Sequence, residues 1–330
     1  APPAILFAGV QKAPEEIDEI SLAGGLVGAP INVVRARTVD LLVPAEAEIV
    51  VEGYVDTEYL ELEAPFGESH GHVNLQEYNA FMEVTAITRR SDAVLTAFLS
   101  QLAPCEGTVL RRPGQEFILL RHLREGLGIA GAKRVSMHIP LTGGYKTLIV
   151  QLEHGVPRTE VWRALYGLAT RLRAAGKIII ATNDDIDPEN TDAVLWAIGF
   201  RSKPHLDMQI LPHQDGGHGP RDMVRDDEDS SLLIDATLKQ DFPPVALPKK
   251  EFMENAREIW EDKLGLAPLK PESPWYGYSL GAWTDDLEEQ AMRAVSGDYW
   301  ETGRRTAQHR RNDVAMNTEA RLVPDPTDDI

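Results

Sequence analysis

Residues 63–72, EAPFGESHGH, set two glutamates five positions apart around a Pro-Phe-Gly core and follow them with His70 and His72. Pro65 fixes φ and Gly67 tolerates unusual backbone angles, so the spacing predicts a tight bend with Glu63 and Glu68 facing each other across it. Two neighbouring carboxylates push their pKa values apart: one stays protonated nearer neutrality and can donate a proton, while the other stays ionised. The same residue types also suit a metal site or an acidic surface turn, since glutamates are usually exposed. The three readings stay open at this level.

Other chemistry-bearing stretches are weaker. The acidic loop NDDID (183–187) follows an apolar strand-like run and suits Mg²⁺. The competing reading, that its carboxylates solvate the loop and complement the positive end of the next helix, is the stronger on physical grounds. His213 and His218 lie five apart in a Gly-rich segment, where a histidine is more often a solvated turn residue than a ligand. The glycines of LAGGLVG (22–28) lack dinucleotide-fingerprint spacing and read as turn and packing glycines.

The elements that must hold these residues are legible in the hydrophobic pattern. Residues 4–10, AILFAGV, read as strand-like. From 31 to 55, β-branched and polar residues alternate with Pro44 and Gly53 as punctuation, which predicts several short strands; 80–99 continues in that manner. Residues 138–153 read as a hairpin-like pair or one long strand with a Gly-Gly turn, in a second domain beginning near 115. Val161, Leu165, Leu168 and Leu172 recur at helical spacing before Gly176, a natural C-cap. Residues 177–200 then read as strand, acidic loop and a helix opened by Asn190 or Thr191, and 249–265 as another helix.

The bulk numbers bound the function. The 330 residues carry 33 Lys plus Arg against 52 Asp plus Glu, a net charge of −19, which disfavours nucleic acid. A single cysteine, Cys105, excludes an internal disulfide and points to a reducing cytoplasm. No run of 18 apolar residues and no basic n-region occurs, so membrane insertion and export are not expected. A start without Met, entering a strand-like run almost at once, reads as a processed chain, a subunit or a fragment.

EAPFGESHGH resembles the Glu-Gly-Pro-Phe-Gly-Glu segment and following His-Gly of the UbiD-type decarboxylases, which depend on prenylated FMN. The resemblance continues through DEISLAGGLVGAP, VPAEAEIVVEG, AITRRSDAVL, KIIIATNDDIDPENTDAVLWAIGFRSKP and SSLLIDATLK, in the family's order, and covers residues 1 to about 265. It implies that Glu68 is the acid that protonates the substrate carbon after CO₂ leaves, with Glu63 as its networked partner. It implies that Glu19 ligates a divalent ion, Mn²⁺ or Mg²⁺, at the cofactor phosphate, and that Lys177 reaches that phosphate. Arg201, with backbone from Ala8 to Gln11, resembles a monovalent-cation site, for K⁺. Loss of CO₂ from an sp² carbon needs an electron sink, which the flavin provides, while the protein positions and supplies the proton.

Departures shape the substrate expectation. Ala64 stands where the family has glycine, and His72 where it commonly has tyrosine. Gly107, Arg111 and His218 fall in regions expected to line the substrate pocket; Arg111 suits a second anionic group, against a surface arginine on a strand as the plain alternative. The expected substrate is a bulky or polar aromatic or heteroaromatic acid. The family's arginine partner of the glutamates, and an Asn and a His that ligate the metal, belong to a first half not found here, so a polypeptide supplying that half is an expected partner. The fold expected is α/β (α+β): 1–112 the later strands of a split-barrel flavin domain, 113–247 an α/β domain that oligomerises as a homo-oligomer, and 248–330 a helix and tail. The rivals are a non-catalytic assembly or regulatory subunit of the same fold and, without independent support, a carboxylate-pair hydrolase.

Overall fold

A computed structural model describes residues 3–9, 17–99, 101–140, 146–171, 176–215, 228–240, 248, 250–268 and 285–308. The chain divides into two compact units, residues 1–239 with 267–278, and residues 240–266 with 279–330.

The first unit opens with two short helices. The strand-like run at 4–10 is in fact within α1 (Pro3–Gly9). A short apolar run does not distinguish strand from helix, and Pro at the first helical position, followed by alanine, favours the helix. In α2 (Glu19–Val27), the Asp18 side chain accepts the Ser21 amide at 2.9 Å as N-cap, and Gly28, at φ 76°, closes the C-terminus by donating to the Gly24 carbonyl at 2.9 Å. The glycines here are therefore helix and cap residues.

Eight short strands follow. β1 (Val33–Arg35) pairs antiparallel with β2 (Leu42–Pro44). Then β3 (Ile49–Val55), β4 (Glu61–Glu63), β5 (Phe66–Gly67), β6 (Val73–Asn74), β7 (Glu77–Asn79) and β8 (Met82–Arg89) pair as β5 with β6, β4 with β7 and β3 with β8. The three pairings are nested, so residues 49–89 form one interrupted hairpin arm whose tip is Glu68–His72. At Gly53, beside a register shift, a Cβ would meet the Glu83 carbonyl oxygen at 2.2 Å, so only glycine lets the two backbones approach there. The strand pattern read over 80–99 holds only as far as Arg89; residues 93–99 have no regular structure.

The rest of this unit is an α/β sandwich. Its elements are α3 (Glu106–Arg121), a π-helical turn (His122–Gly126), β9 (Ala132–Met137), β10 (Thr147–Leu152), α4 (Arg158–Arg171), β11 (Ile178–Asn183), α5 (Thr191–Arg201), the one-turn α6 (Pro204–Asp207), β12 (Met208–Gln214) and β13 (Asp229–Asp235). The five strands order as β12-β13-β11-β10-β9, the central three parallel and both edges antiparallel. Of the hairpin-like pair or long strand expected over 138–153, only β10 falls in that range among the described residues, and its antiparallel partner β9 precedes it. Alternate residues face opposite layers: Leu148, Val150 and Leu152 pack with Leu119, Leu123, Leu165 and Leu168, whereas Ile149, Ile180 and Ile234 pack with Ala193, Val194 and Ala197 of α5. Each fully buried Leu contributes about 1.5–3 kcal/mol relative to exposure. α4 buries Val161, Leu165 and Leu168 as its spacing predicts; Leu172 lies outside the described residues, and Gly176 is left-handed at φ 77°. Asn190 caps α5, accepting the amides of Asp192 and Ala193.

The hairpin arm contrasts with this core. Between residues 17 and 99 the buried apolar side chains reduce to Ala23, while Val51, Tyr54, Leu62, Val84 and Ile87 are exposed. In the second unit, α7 (Lys250–Glu258) continues into a π-helical turn to Lys263, as the helix pattern over 249–265 predicts, and α8 (Asp285–Ser296) and α9 (Tyr299–Gln308) follow. Among the described residues no helix is long and apolar enough to cross a membrane.

Candidate active site

The hairpin arm positions the two glutamates. The turn predicted at Pro65–Gly67 lies instead at Glu68–His72: Phe66 and Gly67 are extended and paired with Asn74 and Val73, and Gly71, at φ 90°, makes the reversal. The Glu68 amide donates to the His72 carbonyl at 3.0 Å, and the Gly71 amide returns to the Glu68 carbonyl at 2.9 Å. Glu68 is half-buried at this tip, and the Ser69 amide donates to its Oε2 at 3.2 Å. Glu63 sits further down, on β4 in register with Glu77, and its Oε2 accepts from Asn79 Nδ2 at 2.8 Å. The glutamates therefore occupy one arm at different heights and do not flank a tight bend. His70 takes the His72 amide on Nδ1 at 3.2 Å, and the two rings are 5.7 Å apart, so these histidines shape the turn. A Cβ on Gly71 would meet Leu102 Cδ1 at 2.4 Å, so the tip packs closely against the segment leading into α3.

Glu19 is exposed on the first turn of α2, next to the Asp18 cap. Hydrogen bonds from the Ser21 side chain and amide hold the Asp18 carboxyl below its usual range. A groove of about 510 Å³ runs along this helix, lined by Ile20, Ser21, Gly24, Gly25 and residues 28–31. Ala8 is buried in α1; residues 10 and 11 lie outside the described set.

Lys177 stands immediately before β11 and lines a polar crevice of only about 10 Å³ with Lys146, Gln214, Asp215, Asp229, Ser230 and Ser231. Its Nζ donates to Asp229 Oδ2 at 2.7 Å. Burial pushes the Asp229 carboxyl up, but the Lys177 hydrogen bond and the Ser230 amide outweigh it and hold the group below its ordinary value. Lys146 is pushed down, first by burial and then by the Lys177 charge. Two ammonium groups thus converge at the start of the parallel strands.

Arg201 ends α5 with a buried guanidinium that grips Asp185 through two bonds, Nη1 to Oδ1 at 2.9 Å and Nη2 to Oδ2 at 2.5 Å, 5.2 Å from the Trp196 ring centroid. Asp185 of the NDDID loop is accordingly an ion-pair partner, and Asp187 accepts the Glu189 amide at 3.0 Å as a turn residue. Among the described residues no group of three or more His, Cys, Asp or Glu is placed to hold a metal. His213 is left-handed at φ 60° with Nδ1 3.2 Å from Glu228, on an exposed irregular stretch of β12. His218 lies outside the described residues. Gly107 and Arg111 sit on the first turns of α3, so the alternative that placed Arg111 on a strand is corrected: Cys105 caps a helix there, with Thr108 bonded back to it.

Sequence reasoning missed three groups. Lys146 carries no motif signal and reaches Lys177 only through the pairing of β10 with β11. Arg112 and Arg134 both donate to Glu189, which also accepts from Ser136 Oγ at 2.7 Å; burial raises the Glu189 carboxyl, but these donors outweigh it and lower it. Glu52, inside a strand pattern, is buried and gathers the Arg37 and Thr38 amides, which lower its pKa.

Residues 1–101 match the UbiD domain described as 3-octaprenyl-4-hydroxybenzoate carboxy-lyase Rift-related, and residues 113–236 match the carboxy-lyase C-terminal domain. An uncharacterized protein of Archaeoglobus fulgidus is 29% identical over 270 residues, 79% of this chain and 55% of that protein, and one of Aquifex aeolicus is 30% identical over 285 residues, 80% and 55%. The chain spans about half the length of these relatives. Among solved structures, the UbiD-class enzyme HmfF from Pelotomaculum thermopropionicum in complex with FMN is 25% identical with a TM-score of 0.64, covering 77% of this chain and 56% of that one. Its evolved dimeric form in complex with prFMN has a TM-score of 0.61, with 25% identity over 76% and 53%. The closed form of Sedimentibacter hydroxybenzoicus vanillic acid decarboxylase, 23% identical with a TM-score of 0.62 over 79% and 56%, shares the fold.

Proposed function

The chain belongs to the UbiD family, and from that premise we propose that it carries the proton-transfer and C-terminal portion of a prenylated-FMN-dependent carboxy-lyase acting reversibly on an aromatic or heteroaromatic acid. The observation that carries this reading is the nested hairpin arm, which presents a half-buried carboxylate, Glu68, at its tip and a second, Glu63, hydrogen-bonded below it.

The residues present fit the cofactor. Lys177 and Lys146 line a narrow polar crevice with serine hydroxyls, donors of the kind a phosphate takes, and Glu19 offers an exposed carboxylate of the kind Mn²⁺ or Mg²⁺ takes. Such an ion takes about six oxygen or nitrogen donors, so Glu19 would share it with further ligands. K⁺ at Arg201 and Ala8 rests on the family resemblance alone. When bound, the flavin supplies the electron sink that side chains lack. Glu68 holds and delivers the proton, Glu63 is held ready by Asn79, Gly107 and Arg111 line the acid's pocket, and the family resemblance adds His218 as a contact for the acid. The exposed Val51, Tyr54, Leu62, Val84 and Ile87 support a partner surface that covers the arm and keeps water from that proton. Assembly as a homo-oligomer through the α/β domain completes the reading.

The test combines the chain with the polypeptide that completes the flavin domain and follows flavin absorbance and CO₂ release. Glu68→Gln is expected to lower kcat about 10²–10⁴-fold with flavin still bound. A complex that binds no flavin overturns the enzyme reading in favour of a non-catalytic assembly subunit.

A further inference from the structure

The parallel strands of the α/β domain start with charged residues. Lys146, Lys177 and Asp229 stand at the N-terminal ends of β10, β11 and β13, and main-chain bonds set them side by side: the Ile178 amide donates to the Lys146 carbonyl at 2.8 Å, and the Leu232 amide to the Lys177 carbonyl at 2.8 Å. The Asp229 carboxylate is engaged at both oxygens. Its Oδ2 accepts Lys177 Nζ at 2.7 Å, and its Oδ1 accepts the Ser230 amide at 2.7 Å. The carboxylate is therefore held by its own strand as well as by the lysine.

Size and charge decide what else the crevice between them can hold. Its volume of about 10 Å³ has room for about one water. A phosphate group is several times larger and does not fit while Asp229 stays on Lys177. Charge opposes it as well: among the described residues, Asp215 and Asp229 already answer the two ammonium groups of Lys146 and Lys177. Burial raises the Asp229 carboxyl, but the Lys177 hydrogen bond and the Ser230 amide outweigh it and lower it, so Asp229 stays charged near neutrality.

An anion therefore reaches Lys177 only in exchange for Asp229. We propose that Asp229 is an internal anion that screens this site: free inorganic phosphate is kept out, and a phosphate carried on a larger ligand enters because that ligand's other contacts offset the loss of the Lys177–Asp229 pair. The exclusion works through a built-in competing charge, not through a lack of donors. The exchange asks only for a side-chain rotation at Asp229, since the pairing of β13 with β11 begins at Leu232. The proposal rests on the reading of this edge as the phosphate end of the cofactor site.

The experiment titrates inorganic phosphate into the full chain by calorimetry, near neutral pH and at constant ionic strength. Wild type is expected to bind with a Kd of about 10 mM or weaker, and Asp229→Asn about 10-fold more tightly. Adding Lys177→Gln to Asp229→Asn is expected to abolish that gain. Glu228→Gln makes the same charge change one residue earlier, on an exposed side chain, and is expected to alter the affinity less than about two-fold. Asp229→Ser reads the same gain should the asparagine variant fail to fold. Flavin mononucleotide titrated into the completed enzyme tells the two readings apart: if Lys177→Gln leaves flavin affinity unchanged while Asp229→Asn still tightens inorganic phosphate, the cofactor assignment falls and the internal anion stands. Equal phosphate affinity of wild type and Asp229→Asn, or an equal gain in Glu228→Gln, overturns the proposal.

Discussion

Replacing Lys177 with glutamine separates a cofactor-binding lysine from a structural one. Its ion pair with Asp229 joins side chains 40% and 25% exposed, and partly exposed pairs contribute about 0.2–1 kcal/mol. The substitution also removes a positive charge that disfavours the Lys146 ammonium, which offsets part of that loss. Unfolding stability is therefore expected to fall by less than about 1 kcal/mol. A charged hydrogen bond to a phosphate is worth about 1.5–3 kcal/mol, or roughly 10–100-fold in affinity. Urea unfolding of the chain and fluorescence titration of flavin into the completed enzyme measure the two quantities. NMR titration of Lys146 adds a third: its pKa is expected to rise toward the ordinary lysine value once Lys177 is neutral. Unchanged flavin affinity together with a stability loss of about 3 kcal/mol would refute the reasoning, because Lys177 would then be a fold residue.

Two further outcomes test the scaffold. Leu165→Ala, in the fully buried layer between α4 and the sheet, is expected to cost about 2–5 kcal/mol in urea unfolding, because the cavity between helix and strands relaxes only in part. Glu189 has a folded pKa below its unfolded one, so its stabilisation is fully present above the ordinary glutamate value of about 4.3 and is lost as pH falls through the lower folded value. Glu189→Gln is expected to flatten that part of the stability profile, measured as urea midpoints between about pH 3 and 6.

Much of the α/β half was legible because its signals are local. Helical spacing of Val161, Leu165 and Leu168, the Asn190 cap, and the apolar run into NDDID each depend on neighbours within a few residues. The first half was less so. AILFAGV carries no periodicity that separates helix from strand, and it folds as α1. Pro65 and Gly67 looked like the turn, yet the reversal falls at Gly71, because the cross-strand register of Phe66 with Asn74 decides where an arm bends.

The site divides in the same way. Residue types and spacing sufficed to single out Glu63 and Glu68 as chemical groups, whereas Glu19, Lys177 and Arg201 came into view only through the family resemblance. Only the tertiary structure brings Lys146 beside Lys177, gathers Arg112, Arg134 and Ser136 on Glu189, and closes Asp207, Asp235 and the Arg201 carbonyl around Lys239. The physical reason is sequence distance: these groups come from different strands and helices, 31 residues apart for the two lysines by their numbers. Such partners meet only when strand pairing sets which chain ends share an edge, and no local pattern encodes that pairing.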